Sequence, residues 1–311
     1  MRHLIAVALI GVVLGIPGSA GAQGVGRWET RAPMLSQRTE VAGAHLGGKI
    51  YVVGGFVPGG VTGAMEEYDL AANTWRTRAS LPLALHHAAM VATGGRLYVI
   101  GGYGALGAPL NTIFEYDPAQ DAWRARAPMP TARGALTAVV LDGRIYAIGG
   151  VGPGQQDVTT NEMYDPAADR WMSHAPMRTA RDHLGAVAVD GLIYVFGGRV
   201  RGQNVAVTEI YDPRADAWRA GAPQPTPRSG YAAAAVRGRI FVMGGELGRP
   251  TTYPENEEYD PRRNTWTARA PMPTPRHGLT GVAVEDRIYV ISGGPRPGGA
   301  FSNTNEVYIP D

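Results

Sequence analysis

Cysteine is absent from the 311 residues. That excludes disulfides, thiolate metal sites and a lipid-modified N-terminal cysteine. Lysine is nearly absent: Lys49 is the only one, and every other basic side chain is arginine. A formal charge of +2 leaves no excess of either sign, so the chain is not built for general polyanion or nucleic-acid binding. Catalytic signatures are missing too. There is no Gly-x-Ser-x-Gly elbow, no phosphate loop, no His-x-His and no His-Glu-x-x-His. No metal and no cofactor is expected on these grounds. Long apolar runs are confined to the start. Arg2 and His3 precede an apolar stretch from Leu4 to Ile16, and Ala20-Gly21-Ala22 follows. The stretch is too short to favour a spanning helix and reads as a secretory signal peptide over residues 1–22. The expected mature chain begins near Gln23, is secreted or periplasmic and has no membrane span. Without disulfides it must hold by packing alone.

Glycine (43) and proline (24) are plentiful. Six glycine pairs recur: Gly54-Gly55, Gly101-Gly102, Gly149-Gly150, Gly197-Gly198, Gly244-Gly245 and Gly293-Gly294, at steps of 47, 48, 48, 47 and 49 residues. Each closes an apolar run such as Ile50-Tyr51-Val52-Val53. A fixed period of this length marks one supersecondary unit repeated. In the third unit, an apolar stretch from Arg133 to Leu141 meets the turn pair Asp142-Gly143. Arg144 to Ile148 forms a second strand and Asn161 to Tyr164 a third. Asp165-Pro166 turns the chain, and Trp171 lies on a fourth strand that Pro176 ends. Each unit therefore reads as a four-stranded antiparallel sheet. Tyr and Trp stand seven residues apart in Tyr68-Trp75, Tyr116-Trp123, Tyr164-Trp171, Tyr211-Trp218 and Tyr259-Trp266. Trp266 lies one residue further from its glycine pair than the other tryptophans, because Ser292 stands where the first glycine would align. Trp28 has no preceding Tyr, and Tyr308 has no following Trp. The N-terminal strand is therefore expected to join the last sheet and close a ring of six, which removes exposed strand edges.

The double glycine, the Tyr-Asp-Pro segment and the Trp seven residues on resemble the Kelch-repeat β-propeller family. The resemblance covers roughly residues 24 to 311, with Leu70 and Ile309 as small departures from the pattern. It implies an all-β, six-bladed propeller over residues 23–311, built of four-stranded antiparallel blades around a central channel, with the first strand of each blade innermost.

Two charged positions repeat. Arg38, Arg133, Arg181, Arg228 and Arg276 stand sixteen residues before the aligned glycine, and Glu66, Glu162, Glu209, Glu257 and Glu306 stand two before each Tyr. In the second unit both are apolar, Leu85 and Phe114. Charges lost together suggest structural pairs: Arg38–Glu66, Arg133–Glu162, Arg181–Glu209, Arg228–Glu257 and Arg276–Glu306. Removing one member of such a pair is costly, and replacing both is tolerated. The glycine pair is expected to let each arginine reach across to its carboxylate. A ring of arginines gripping an anion is the competing reading. The aromatic repeats are expected to fill blade-to-blade contacts.

Unrepeated chemistry sits in the loops after the glycine pairs. Phe56, Tyr103, Arg199, Arg201, Arg249 and Arg296 are candidate ligand-binding residues, forming a mouth half aromatic and half basic, suited to an acidic sugar or peptide. Asp157 and Glu246 lie on the same rim. His87 and His183 share a repeat position with Glu40, and these three meet only if the channel is narrow. The leading expectation is a non-catalytic propeller recognising an unknown protein or glycan, an acidic one suiting the basic half of the mouth. The alternative is a sugar isomerase, since some six-bladed bacterial Kelch proteins interconvert sialic-acid anomers. Glu246, His87 and His183 are then the acid–base candidates, and Arg199 or Arg201 the carboxylate clamp. Copper radical oxidases with Kelch blades depend on a Cys–Tyr crosslink, which a chain without cysteine cannot form.

Overall fold

A computed structural model describes residues 25–248 and 250–311. The expected signal peptide lies outside the described residues. Within them the chain is all-β, with six four-stranded antiparallel sheets arranged as the blades of a propeller. Blade 1 runs outward from Ala42–Leu46 through Lys49–Val53 and Met65–Asp69 to Thr74–Arg78. Blade 6 takes three strands from the C-terminal end, Thr280–Val284, Arg287–Ile291 and Asn305–Ile309. Its fourth is the N-terminal Arg27–Thr30, with Trp28 opposite Tyr308. Three short ribbons follow glycine pairs, one of them Val151–Gly152 with Gln156–Asp157.

Each blade is sandwiched between two others, so both faces of its inner strands are buried and their sequences read as continuous apolar runs. Along Lys49–Val53 the side chains alternate. Ile50 and Val52 pack on Tyr289, Ile291 and Val307 of blade 6. Tyr51 and Val53 pack on Leu97, Val99 and Tyr116 of blade 2. The repeated aromatics lie across the outer strand pair, with ring centroids 4.9 Å apart in Tyr68–Trp75 and 5.1 Å in Tyr308–Trp28. Each indole N–H donates to an alanine carbonyl of the preceding blade, as from Trp75 to Ala32 (2.8 Å) and from Trp28 to Ala270 (2.9 Å). The tryptophans thus tie one blade to the one before it, including across the ring closure.

The glycine pairs have a different cause from the one expected. In blade 1 the Gly55 N–H donates to the Leu85 carbonyl of blade 2 (2.9 Å), and in blade 6 Gly293 donates to Arg38 of blade 1 (3.0 Å). A Cβ on Gly54 would stand 2.6 Å from the Leu85 oxygen, and one on Gly55 would stand 2.4 Å from the Thr39 oxygen. Backbone of the neighbouring blade and of the blade's own rim, rather than passage of an arginine side chain, excludes a larger residue. Ser292 fits because its hydroxyl donates to the same Arg38 carbonyl (2.9 Å).

The innermost strands start later than the apolar pattern suggests. In blade 3 the strand is Thr137–Leu141. Residues 133–136 instead turn inward to form the rim.

Candidate functional site

The repeated arginines sit just inside the rim. Their guanidinium nitrogens lie 2.6 Å from Glu66 (Arg38), 2.8 Å from Glu162 (Arg133), 3.1 Å from Glu209 (Arg181), 2.8 Å from Glu257 (Arg228) and 2.8 Å from Glu306 (Arg276). All ten side chains are buried. Backbone carbonyls complete the bonding, as Ala147 (3.0 Å) and Gly149 (3.2 Å) do for Arg133. In blade 2, Leu85 and Phe114 belong to one apolar cluster instead. These arginines therefore present nothing to a ligand.

Two residues beyond each arginine position, the backbone turns left-handed. Glu40, His87, Ala135, His183, Gly230 and Gly278 have φ of 56°, 52°, 52°, 49°, 61° and 60°. Each of these six donates its N–H to the carbonyl of its counterpart in the preceding blade. The bonds run Glu40 to Gly278 (2.7 Å), Gly278 to Gly230 (2.8 Å), Gly230 to His183 (3.2 Å), His183 to Ala135 (2.9 Å), Ala135 to His87 (2.9 Å) and His87 to Glu40 (3.3 Å). This closed hexagon of backbone hydrogen bonds constricts the channel. The space around it is about 90 Å³, well below the roughly 300–1,000 Å³ of small-molecule pockets.

Above the hexagon the side chains converge. Glu40 of blade 1 and His183 of blade 4 arise on opposite sides of the ring, and His87 lies between them in blade 2. Their ligand atoms all lie within 4.8 Å of one another. The His87 Nε2 is 3.2 Å from Glu40, and the His87 and His183 ring centroids are 4.8 Å apart. His277 Nδ1 is 3.3 Å from both Glu40 and Glu246. His183 bonds through Nδ1 to Asp182, which also accepts from Arg199 Nε (2.9 Å). Phe56, His86 and Tyr103 form a shelf beside this cluster, with centroids 4.0 Å apart for Phe56–His86 and 5.4 Å for the stacked His86–Tyr103.

Charge states follow from these contacts. Burial pushes His87 down to about 3 and so keeps it neutral. Burial opposes ionisation of Glu40, yet the surrounding histidines hold it well below the usual carboxylate range. Burial lowers His277, but its bond to Glu40 and the charges of Glu40 and Glu246 outweigh that and raise it. Asp157 lies beside Asp182. Burial and Asp182 push Asp157 up to about 6. Asp182, against its own burial, is held at about 2 by His183, Asp157 and Arg199. Two neighbouring carboxyl groups are thereby set apart in proton affinity.

Sequence comparison agrees with the architecture. The Kelch motif matches residues 37–82 and 84–130, and the KLHDC2/KLHL20/DRC7 Kelch-repeats domain matches residues 130–294. The chain belongs to the Kelch-repeat β-propeller family. No curated protein matches it in sequence. Among solved structures this Kelch chain is similar to that of YjhT, with a TM-score of 0.76, 16% identity, and coverage of 88% of this chain and 95% of that one. At that identity the likeness is one of fold.

The candidates chosen from the sequence fare unequally in this Kelch propeller. Phe56 and Tyr103 stand on the aromatic shelf. Arg199 reaches the central cluster, but its guanidinium is engaged by Asp182. Arg201 and Arg296 are exposed, the former donating its backbone N–H to Asp157 (2.7 Å). Arg249 lies outside the described residues. The mouth is consequently richer in carboxylates and histidines than in free arginines. Glu246 is buried against His277, while His87 and His183 meet Glu40 because the hexagon narrows the channel. Sequence reasoning missed His86, Asp182 and His277. They share one repeat column with Thr39, Gly134 and Ser229, directly before the hexagon. A variable column directly after the arginine column, which is constant in five of the six units, was the available signal.

Proposed function

We propose that this Kelch propeller is a non-catalytic, extracytoplasmic binding module that takes a glycan at the channel mouth. The fold supports a binding propeller, and the signal-peptide pattern of residues 1–22 supports export. The carrying observation is the Phe56–His86–Tyr103 shelf next to Glu40, Asp182 and Arg199. Sugars lay their C–H faces on aromatic planes, and planar charged groups take their hydroxyls. The small space at the hexagon directs the ligand to the mouth rather than into the channel. A saccharide panel titrated into the purified protein by calorimetry tests this. Phe56→Ala and Tyr103→Ala are each expected to weaken binding about tenfold, the loss of one stacking contact, with an unchanged melting temperature. A protein that binds no saccharide, or variants that bind like wild type, would overturn the proposal.

A second reading is carried by the Asp157–Asp182 pair, a carboxyl raised to about 6 beside one held at about 2, with Arg199 in reach. That is the equipment of an isomerase acting on an acidic sugar. NMR exchange between the anomers of N-acetylneuraminate decides it: acceleration that is lost in Asp157→Asn supports catalysis, and no acceleration ends it.

A further inference from the structure

We propose that Glu40, His87 and His183 form a site for a first-row divalent metal ion on the propeller axis. The site shares Glu40 and Asp182 with the glycan reading but does not rest on it. It rests on how the repeat places side chains. Of the six hexagon positions, three carry ligand-type side chains and three carry Ala135, Gly230 and Gly278. The small residues leave room. A Cβ on Gly278 would already stand 2.6 Å from a Glu40 oxygen. The three donors come from three blades, two of them facing each other across the ring, and they still converge within 4.8 Å. Their backbone is held by the hexagon, so little ordering is left to binding.

Each donor also has its own orienting partner. Asp182 accepts from His183 Nδ1. A carboxylate only accepts, so the proton is on Nδ1 and the lone pair is on Nε2. That Nε2 is buried, with no hydrogen-bond partner among the described residues. A carboxylate–histidine pair that leaves one imidazole nitrogen free is the usual support of a histidine metal ligand. His277 Nδ1 faces Glu40 Oε1, which leaves Oε2 toward His87 Nε2. His86 contacts His87 through Nδ1, which directs Nε2 to the axis. The three partners, His86, Asp182 and His277, all belong to the column directly before the hexagon. Two adjacent repeat columns thus supply ligands and supports. Two imidazoles and one carboxylate suit Zn²⁺ and its first-row neighbours, and not Ca²⁺ or Mg²⁺. Glu40 is 11%, His183 12% and His87 15% exposed in the side chain. This partial exposure leaves the three groups accessible to an ion.

Zn²⁺ titrated calorimetrically into the chelator-treated full chain is expected to bind one ion per chain. Mg²⁺ is expected not to compete. His87→Asn and His183→Asn keep a residue that tolerates left-handed backbone, and Glu40→Gln keeps its shape. Each is expected to weaken Zn²⁺ binding by about 100-fold or more. Asp182→Asn, a positioning change, is expected to weaken it about 10–100-fold. X-ray absorption of the loaded protein should show two imidazoles at about 2.0–2.1 Å in wild type and in Asp182→Asn, and one in His183→Asn. If His183→Asn does not fold, His87→Asn gives the same reading. A wild type that binds no Zn²⁺, or variants that bind it as tightly, would overturn the assignment.

Discussion

Blades 2 and 3 are neighbours built to one plan, and they distribute their charge in opposite ways. Blade 3 buries Arg133 against Glu162 in its frame, and its rim offers Gly134, Ala135 and Val151. Blade 2 has Leu85 and Phe114 in the frame, and its rim offers His86, His87 and Tyr103. Frame and mouth are therefore separate systems, two residues apart in sequence. The frame needs mutual satisfaction of whatever it buries, charged or apolar. The mouth is free to vary because the hexagon is made by backbone alone.

The strongest way to break this contrast is to unbalance the blade 3 frame. Glu162→Ala strands a buried guanidinium and is expected to cost about 3–5 kcal/mol in denaturant unfolding. Arg133→Leu with Glu162→Phe copies blade 2 and is expected to recover most of that loss. Equal destabilisation in the single and double variants would show that the frame depends on the charge itself. A smaller effect is expected where backbone crowding is at stake. Gly150 has φ of 98°, and a Cβ there would stand 2.6 Å from the Gly134 carbonyl. Gly143 has φ of 76° with open space around it. Gly150→Ala should cost about 3 kcal/mol and Gly143→Ala about 1 kcal/mol in the same assay.

The smallest effect is electrostatic and confined to the mouth. Asp157 keeps its proton up to about 6 in the folded chain, against an ordinary value of 3.8. Between those values the folded state holds a proton that the unfolded state has released, so this group's contribution to stability falls as pH rises through the window. Asp182 works the other way. Its depressed value, about 2, adds stability above pH 3.8 that is lost as pH falls toward 2. Melting temperature against pH should therefore decline less between about 4 and 6 in Asp157→Asn than in wild type. An unchanged profile would show that Asp157 is not raised in the folded chain.

Much of this molecule was legible before folding was considered. The glycine period, the seven-residue Tyr–Trp spacing and the split ends at Trp28 and Tyr308 are local signals repeated in register. Repetition makes weak local preferences decisive. They determined six four-stranded blades, and Trp28 does face Tyr308 across the closing strand pair. The joint loss of Arg and Glu in the second unit pointed to pairing, and the five remaining pairs lie within salt-bridge distance in the structure.

Only the tertiary structure decided what meets at the axis. Glu40, His87 and His183 are separated by whole blades, and their convergence depends on the radius at which the ring closes. That radius follows from interblade packing and from a hydrogen-bonded hexagon at left-handed residues, which no spacing announces. The same closure turned Arg199 onto Asp182 and left Arg201 and Arg296 at the surface, so the arginine-lined mouth expected from the loops became one of histidines and carboxylates. The periodic residues told where the blades are; the distance across the channel, a property of all six together, set the chemistry at its mouth.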